Sequence, residues 1–391
     1  MASVAKAISP ESRRVKLLMV NSTLHIGGAE QVAACLSTNI SAERFEISAC
    51  YLKEPGIVAE QILRGGVDLV PIPGLVPGRR DYFTSLKLRK LILERDIEVI
   101  HTHDIHGLID GSICRSMLPR LKHVHTFHFG NYPHRRFRYK LIERALWRIP
   151  DALIAVGHAQ AASISACYGI PLERLRVIWN GVEDPVFDPA EAISVEAPPD
   201  TPVIASISTL IPQKGLSHLL DAAALLRDWG ERFLLVIAGD GGLKQPLHEQ
   251  AQKLQLGNHV RFLGWVPQAS RRVLPKCDIF VQSSLWEAMS VVVLEAMAAA
   301  RPMVVTSVGE NPHVLVNGES GLLVPPADPA ALATALRSLL KDSLMRARLG
   351  SAARARYLDK FTVQHMLSAH EDLYRELAGV NDPHAPPVTV P

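Results

Sequence analysis

The chain has 391 residues, of which 48% are hydrophobic and 21% are charged, and its net charge is +3. This length exceeds one ordinary hydrophobic core and favours two domains, while the composition is that of a globular protein without internal repeats. The net charge is too small to indicate a nucleic-acid partner, and no uncharged apolar run approaches the ~20 residues that cross a bilayer.

Charge and cysteine placement narrow the setting further. Up to Asp184 the chain has 24 Lys and Arg against 18 Asp and Glu, and the remainder has 18 against 21. This asymmetry points to an anionic surface or ligand near the first half. The five cysteines are widely spaced without a CxxC pair, which is typical of reduced core residues, and residues 1–10 lack the apolar segment of a signal peptide. We therefore expect a cytoplasmic protein.

Short apolar strands alternate with helix-length segments along the whole chain. The pattern predicts seven strands in the first half, at residues 15–20, 46–51, 67–71, 99–101, 123–127, 153–156 and 177–179. It predicts six in the second half, at residues 203–207, 234–238, 260–263, 279–281, 303–306 and 322–324. This alternation is typical of parallel βαβ units. The predicted fold class is therefore α/β, with two doubly wound, Rossmann-like halves.

Prolines and acidic residues between positions 184 and 202 mark a linker between the halves. The predicted domains are accordingly residues 1–185 and 200–360. Residues 361–377 have the pattern of a terminal helix, and the Pro-rich residues 381–391 are predicted to be disordered.

The first predicted strand leads into the adjacent glycines Gly27 and Gly28, and a helix then begins. Backbone N–H groups of such a loop approach an anion closely, and the helix dipole favours negative charge there. The motif is not GxGxxG, which argues against a nicotinamide cofactor. Two interpretations remain, a phosphate-facing loop and a simple tight turn.

Histidines are concentrated after two consecutive strands, at positions 101, 103 and 106 and at positions 123, 125 and 128. A cluster of this kind could suggest zinc, but no closed four-ligand spacing is present. We favour one histidine lining a cleft as a hydrogen-bonding group while the others are satisfied structurally.

Residues 134–149 show a helical pattern with a basic stripe. Arg136, Lys140, Arg144 and Arg148 recur every four residues beside an apolar edge. Such a helix can lie on an anionic bilayer, and it can equally be a solvated helix face packed on its own domain. Both interpretations stay open.

The second half repeats the arrangement of loops at strand ends. Thr209 and Lys214 follow its first strand, and an ammonium at this junction can meet a phosphate as a compact charge. Gly239 lies in a glycine-rich turn after the next strand, and Val266 follows the third, where backbone groups could face a nucleobase.

Two glutamates eight positions apart stand out most. Glu287 lies in the loop after the predicted strand 279–281, and Glu295 lies about two turns into the next helix. In an open parallel sheet this edge is where ligands bind, and ionised carboxylates accept hydrogen bonds from sugar hydroxyls. The alternative is a capping glutamate followed by an unrelated surface one.

Taken in order, these motifs resemble the retaining, nucleotide-sugar-dependent glycosyltransferases of the group 1 or family-four type, which have the two-domain GT-B fold. The resemblance extends from about Val15 to about Leu377. Its markers include Gly27-Gly28-Ala29-Glu30, His128 after a strand, Asn180-Gly181-Val182, Lys214-Gly215, Gly239-Asp240-Gly241, Gly264-Trp265-Val266, Glu287 with Glu295, and the segment from Asn317 to Val324.

The resemblance implies roles for individual residues. Lys214 would neutralise the diphosphate, Glu287 would hold the hydroxyls of the donor sugar, and His128 would contact that sugar near the reacting carbon. Glu295 would accept the ribose hydroxyls. The other donor-binding positions would be Gly27, Gly28, Thr209, Gly239, Val266, Ser290, Val291 and Val292, with the glycines at the distal phosphate and residues 290–292 offering backbone N–H groups.

The implied activity is transfer of a sugar from a nucleoside diphosphate sugar to a glycan or lipid-linked glycan, with retention and with neither metal nor cofactor. The donor would lie mainly on the second domain and the acceptor on the first, and the final helix, at residues 361–380, would return toward the first domain. Partners would be the donor, the acceptor and an anionic membrane surface, without nucleic acid. Location would be cytoplasmic or peripheral at the inner face of the membrane.

Three departures from the family pattern qualify this expectation. Thr209 replaces the usual arginine before the lysine, Ser290 replaces a glycine, and Gly309-Glu310-Asn311-Pro312-His313 replaces a Gly-Gly…Glu turn. The loss of the arginine motivates an alternative, a non-catalytic partner subunit that binds nucleotide or glycan. An epimerase or a phosphorylase of the same architecture is a third hypothesis.

Overall fold

The computed structural model describes residues 13–25, 27–72, 81, 83–129, 137–188, 190–195 and 197–380, which form two parallel sheets. The first sheet has strands β1 to β7 at Val15–Thr23, Phe45–Glu54, Asp68–Pro71, Val99–Thr102, Lys122–Phe127, Ala152–Ala155 and Leu175–Val177. The second has β8 to β13 at Val203–Ile207, Leu234–Ala238, Val260–Gly264, Ile279–Gln282, Met303–Thr306 and Leu322–Val324.

Helices connect the strands. Those of the first half, α1 to α6, span Gly28–Asn39, Val58–Arg64, Thr84–Arg95, Ile105–Met117, Phe137–Leu146 and His158–Tyr168. Those of the second half, α7 to α14, span Leu216–Asp228, Lys244–Lys253, Ala269–Val273, Val291–Ala298, Asn311–Val314, Pro329–Lys341, Ser343–Lys360 and Val363–Leu377.

The strand order places one crevice in each sheet. The orders are β3-β2-β1-β4-β5-β6-β7 and β10-β9-β8-β11-β12-β13, and every strand pair is parallel. The chain therefore reverses its winding direction between β1 and β4, and again between β8 and β11. Ligands of doubly wound sheets bind at these switch points, beyond the carboxyl ends of the strands. The predicted α/β fold with two Rossmann-like halves is confirmed.

Burial on both faces explains why the strands are nearly continuous apolar runs. In β11, Ile279 and Val281 pack into the core on one face of the second sheet, and Phe280 packs into the core on the other. All four residues of β11 and all five of β9 are buried. Strands covered by helices on both sides lack the polar alternation of half-exposed strands, which is the pattern that the sequence shows.

The last predicted strand of the first sheet was placed two residues too late in the sequence. The last strand of the first sheet ends at Val177, whereas residues 177–179 were predicted. The chain leaves the sheet because the following residues contact the second half. The Trp179 indole Nε1 donates to Glu310 at 2.9 Å, and the Asn180 N–H lies 3.2 Å from the Met289 sulfur. An apolar run that packs between domains looks in sequence like a strand that packs in a sheet.

The terminal helix α14 packs on the first sheet. Its buried side chains recur with helical spacing, and the apolar ones join the same core as β1 and β4: Val363, Met366, Leu367, Leu373 and Tyr374. The chain reaches this position through a parallel bridge between Val182 and Thr362, where a Cβ on Gly181 would lie 2.4 Å from the Thr362 carbonyl oxygen. Only glycine permits this close crossing.

Among the described residues, the predicted basic helix ends at Leu146, three residues before its predicted end. It spans Phe137–Leu146, so Lys140 and Arg144 lie on it, while Arg148 lies beyond its end and stacks 4.3 Å from the Trp147 ring. Arg148 therefore does not lie on the helix that carries Lys140 and Arg144. Arg136 lies outside the described residues, as does the predicted tail 381–391. Within the described ranges, no helix is both long and apolar enough to cross a bilayer.

Candidate functional site

The glycine pair begins α1 directly after the first strand. Gly27 is the N-cap residue of this helix, and no side chain caps the first turn. A Cβ on Gly27 would lie 2.2 Å from Glu30 Oε2, whereas a Cβ on Gly28 would meet open space. Burial raises the pKa of Glu30, whose carboxyl group folds back beneath this turn. The sequence Gly-Gly-Ala-Glu thus combines a close backbone approach with a helix N-terminus, as an anion-facing loop requires.

The clustered histidines bond mainly to one another and to hydroxyl groups. His101 lies between Thr126 Oγ1 at 2.7 Å and the Tyr374 hydroxyl at 2.6 Å, and His103 Nδ1 lies 2.9 Å from His128 Nε2. Thr102 Oγ1 lies 2.9 Å from a ring nitrogen of His123 and of His125, while His106 lies in the first turn of α4. Within the part of the chain that the structure describes, no three His, Cys, Asp or Glu side chains converge as metal ligands.

His106 and His128 are the half-buried members of this cluster; His106 lies on α4, whereas His128 follows the end of β5. It is therefore the histidine best placed to face the cleft, and its contact with His103 fixes the ring. Burial lowers the pKa of His128 to about 3, which keeps this imidazole neutral near physiological pH. A neutral ring can both donate and accept hydrogen bonds, as contact with a sugar requires.

Lys214 and Glu287 meet at the switch point of the second sheet. Lys214 ends a short 3-10 turn after β8, Glu287 lies in the loop after β11, and Nζ lies 2.5 Å from Oε1. The Ser284 hydroxyl donates to the same carboxylate oxygen at 2.7 Å, and Gln213 Nε2 lies 3.3 Å from the other oxygen. The two side chains are 20% and 7% exposed, so the pair is partly removed from water. A cation and an acceptor carboxylate are thus held together at the expected ligand-binding edge.

Sequence reasoning named Lys214 and Glu287 separately and missed that they form an ion pair. Two glycines make this approach possible. Gly215 has φ +58°, and a Cβ on it would lie 2.2 Å from the Ser283 carbonyl oxygen; Gly309 has φ +52°, and its Cβ would lie 2.2 Å from the Glu287 carbonyl oxygen. The features of the sequence that could have indicated this pair are Lys214-Gly215 after one predicted strand and the Ser-x-x-Glu segment that ends at Glu287 after another.

The N-terminus of α10 lies beside this pair. Ser290 is its N-cap residue, Val291 and Val292 are its first two helical residues, and no side chain caps the helix. The Ser290 hydroxyl instead accepts from Gln282 Nε2 at 2.6 Å. The first N–H groups of a helix have no partner within the helix, so residues 290–292 can offer them to an anion.

Glu295 lies one to two turns further along α10 and is half-buried. The Ser270 hydroxyl donates to its carboxyl group, and burial raises its pKa. Glu287 and Glu295 therefore occupy different environments, one paired with an ammonium and the other held by a hydroxyl. The two carboxyl groups share none of these hydrogen-bond partners.

The glycine-rich turn after β9 lies against the loop that carries Thr209. Gly239 has φ +147°, and a Cβ on it would lie 1.8 Å from the Ser208 carbonyl oxygen. Its N–H donates to the Gly264 carbonyl at 2.8 Å, so the close packing of loops accounts for this glycine. Thr209 itself is exposed, and Val266 is buried beyond the end of β10.

We expect Gly239→Ala to destabilise the protein by about 2–3 kcal/mol or more, because the added methyl group meets backbone and the φ angle is unfavourable. Urea unfolding measures the loss. Gly242→Ala in the same turn is the matched control, since its Cβ would meet nothing within 4 Å, and it should change stability by less than about 0.5 kcal/mol. Equal effects of the two changes would contradict the packing account.

Comparison with known proteins gives matches over both halves. Residues 26–184 match the model described as Glycosyltransferase Family 4, and residues 189–356 match Glycosyl transferases group 1. The chain is 29% identical over 310 residues to the alpha-maltose-1-phosphate synthase of Mycolicibacterium smegmatis, covering 72% of this chain and 79% of that protein.

Two further similarities extend over more of the chain. The lipopolysaccharide core biosynthesis glycosyltransferase LpsE of Rhizobium meliloti is 27% identical, with 85% of this chain and 95% of LpsE covered. The crystal structure of Anabaena HepE in complex with UDP superposes with a TM-score of 0.79 at 20% identity, covering 93% of this chain and all of that one. The two family matches lie end to end, one on each sheet of a GT-B fold, so the chain belongs to the group 1 glycosyltransferases.

Proposed function

We propose that the protein transfers a sugar from a nucleoside diphosphate sugar to a glycan or lipid-linked glycan, with retention of the anomeric configuration and without a metal ion. The observation that supports this most is the Lys214–Glu287 pair, which lies beside the uncapped N-terminus of α10 at the switch point of the second sheet. The ammonium and the helix N–H groups suit a diphosphate, and the carboxylate suits sugar hydroxyls.

The chemistry follows from these positions. As the bond between the anomeric carbon and the diphosphate breaks, negative charge grows on the leaving phosphate and positive charge on the sugar ring. The acceptor hydroxyl oxygen then bonds to the anomeric carbon, and its proton passes to the departing phosphate. Lys214 and the N–H groups of residues 290–292 would stabilise the leaving group. The glycine-rich N-terminus of α1 would bind the phosphate from the first domain. His128 would contact the sugar from the first domain, while Glu295 would accept the ribose hydroxyls. Catalysis would rest on positioning and charge stabilisation.

Relatives support the donor and acceptor classes. HepE has been crystallised with UDP and with UDP-glucose, and LpsE is named for lipopolysaccharide core biosynthesis. By analogy we propose residues 1–185 as the acceptor-binding domain and residues 200–360 as the donor-binding domain.

The test is a screen of UDP-, GDP- and ADP-sugars by thermal shift, followed by transfer assays with the donor that binds. A ligand at 100 times its dissociation constant adds about 2.7 kcal/mol of stability, which such a screen resolves. We expect one nucleotide class to stabilise the protein, turnover to persist in EDTA, and the product to keep the donor's anomeric configuration by NMR. Inversion, or dependence on an added metal, would refute the corresponding part of the proposal.

A non-catalytic binding subunit is the second candidate, and Thr209 favours it. This residue is exposed and neutral at the position where the family has arginine, and the nearby Lys214 ammonium is already paired with Glu287. Nucleotide binding without transfer, with activity appearing only beside a second protein, would support this candidate.

Thr209→Arg separates the candidates. A restored charged contact with the diphosphate is worth about 1.5–3 kcal/mol, so we expect kcat/KM to rise about 10- to 100-fold in an enzyme that turns over slowly. Thr209→Gln, which has comparable length without charge, should leave kcat/KM within about threefold of the wild type. Equal responses of the two variants would show that a positive charge at position 209 does not interact with the diphosphate.

We also propose that α5 contacts an anionic membrane surface. Phe137 and Leu141 are 72% and 50% exposed on this helix, which also carries Lys140 and Arg144. Exposed apolar side chains beside basic ones are the pattern of an interfacial helix. We expect sedimentation with vesicles containing phosphatidylglycerol but not with pure phosphatidylcholine. Lys140→Glu with Arg144→Glu should abolish it, and Lys253→Glu on α8 should not; equal sedimentation of all three proteins would refute the proposal.

A further inference from the structure

Glu310 belongs to the second half of the chain, but its side chain bonds to the first. Oε1 accepts from the His158 backbone N–H and from the Trp179 indole N–H, each at 2.9 Å. Oε2 accepts from the Ala159 backbone N–H, also at 2.9 Å. The residue is 0% exposed, so one fully buried carboxylate receives three hydrogen bonds from across the domain boundary.

This carboxylate caps helix α6 of the first domain. The helix begins at His158, and its N-cap residue Gly157 supplies no side-chain cap. The first N–H groups of a helix need an acceptor, and a negative charge is favourable at that end. A Cβ on Gly157 would lie 2.3 Å from Glu310 Oε2, so the glycine leaves the space that the glutamate fills. The two residues fit each other across the boundary.

The backbone of the same residue supports the donor loop. The Glu310 N–H donates to the Ala288 carbonyl at 2.9 Å, and the preceding Gly309 packs against the Glu287 carbonyl. Met289, in the same loop, contacts the Asn180 N–H of the first half. Glu310 therefore connects the loop that carries Glu287 to the edge of the first domain through one side chain.

We propose that Glu310 is a positioning residue, which fixes the first domain against the donor loop so that the two halves of the active site meet in one arrangement. The proposal rests on the proposed function. A glycine, the usual residue at this point of the Gly-Gly…Glu turn that the sequence resembles, has no side chain with which to make this connection.

A kinetic signature distinguishes positioning from donor binding. The donor would bind mainly to residues of the second domain, which Glu310→Gly leaves in place, whereas transfer also needs the contacts from Gly27, Gly28 and His128 and the acceptor on the first domain. We therefore expect Glu310→Gly to lower kcat at least tenfold while the KM for the donor changes less than threefold. Glu310→Gln keeps the volume of the side chain but places an amide NH2 group against the N–H donors, so it should also lower kcat. Glu319→Gln, at an exposed site after α11, is the matched control.

The arrangement of the domains is measured without turnover. Fluorescent labels on unnatural amino acids at Arg120 and Lys253, both exposed and one in each half, report the distance between domains by single-molecule energy transfer. We expect a broader distance distribution for Glu310→Gly than for the wild type or Glu319→Gln. Trp179→Phe removes one donor and should broaden the distribution less, which keeps the test valid if Glu310→Gly fails to fold.

An unchanged distance distribution in Glu310→Gln and Trp179→Phe would overturn the proposal, as would a loss confined to the donor KM. If the wild type proves inactive with every donor, the proposed function fails, but the distance measurement still decides whether Glu310 holds the domains together.

Discussion

Replacing Lys214 by alanine is expected to lower kcat by about 10²- to 10³-fold while the protein stays folded. The ammonium lies 2.5 Å from Glu287 Oε1 in a partly buried position, where the reduced local dielectric strengthens its interaction with a developing phosphate charge. Glu287→Gln is expected to lower kcat by a similar factor. It leaves Lys214 in place but removes the charge that orients it, and it replaces one of the two acceptor oxygens that would hold the sugar hydroxyls by an NH2 donor.

The two changes should not be additive. Residues that act as one unit lose most of their joint effect when either is removed, so the double variant should be little slower than the worse single variant. Steady-state assays with saturating donor and acceptor give kcat, and circular dichroism checks folding. Lys253→Ala, at an exposed lysine of α8, controls for loss of a positive charge in the same half. Undiminished turnover in both Lys214→Ala and Glu287→Gln would refute the assignment of the donor site.

The sheet architecture was predictable because each strand is short, apolar and separated from the next by a helix. The predicted α/β class, the two halves and most strand positions follow from that periodicity alone. Residues 177–179 are the exception. The apolar Trp179 packs against Phe361, with ring centroids 5.2 Å apart, and does not belong to the sheet. Local sequence reports burial without saying what covers the residue.

The candidate site was predictable in its parts but not in its contacts. Lys214 and Glu287 were recognisable as strand-end residues, yet their pairing depends on β8 and β11 being neighbours, which a strand order supplies and a sequence does not. Glu310 appeared only as a departure from a glycine turn. Its partners are more than 130 positions away, at His158 and Trp179, and such a contact leaves no periodic signal.

The buried histidines make stability sensitive to acid. His101, His103, His123, His125 and His370 are each at most 3% exposed. Burial lowers the pKa of His123 to about 3 and that of His370 to about 4, and it holds the pKa of the other three well below the usual value. Because the unfolded chain binds protons at these groups near pH 6.5 and the folded chain does not, their full stability is present above pH 6.5 and falls as the pH decreases toward the folded pKa values.

Two buried carboxyl groups act in the opposite direction. Burial raises the pKa of Glu143 to about 7 and that of Asp110 to about 6, so the folded chain binds these protons before the unfolded chain does. Between pH 6.5 and 5.5 these five histidines and His128, whose pKa is also about 3, should cost about 1 kcal/mol each, and the two carboxyl groups should return roughly 2 kcal/mol together. The expected net loss is roughly 4 kcal/mol, a large share of the 5–15 kcal/mol that is typical of folded domains.

Urea unfolding at several pH values between 7.5 and 5.0 measures this loss, and a matched pair of variants on α14 identifies its source. His370→Gln removes a buried histidine whose Nδ1 lies 2.8 Å from the Met366 carbonyl oxygen, whereas His365→Gln removes an exposed one five residues earlier. Because only a histidine whose pKa differs between the two states contributes to the slope, His370→Gln should reduce the loss between pH 6.5 and 5.5 by about 1 kcal/mol, whatever it does to stability at pH 7.5. His365→Gln should leave the slope unchanged. A stability that is flat over this interval, or equal slopes in the two variants, would show that the histidine cluster takes up protons without unfolding.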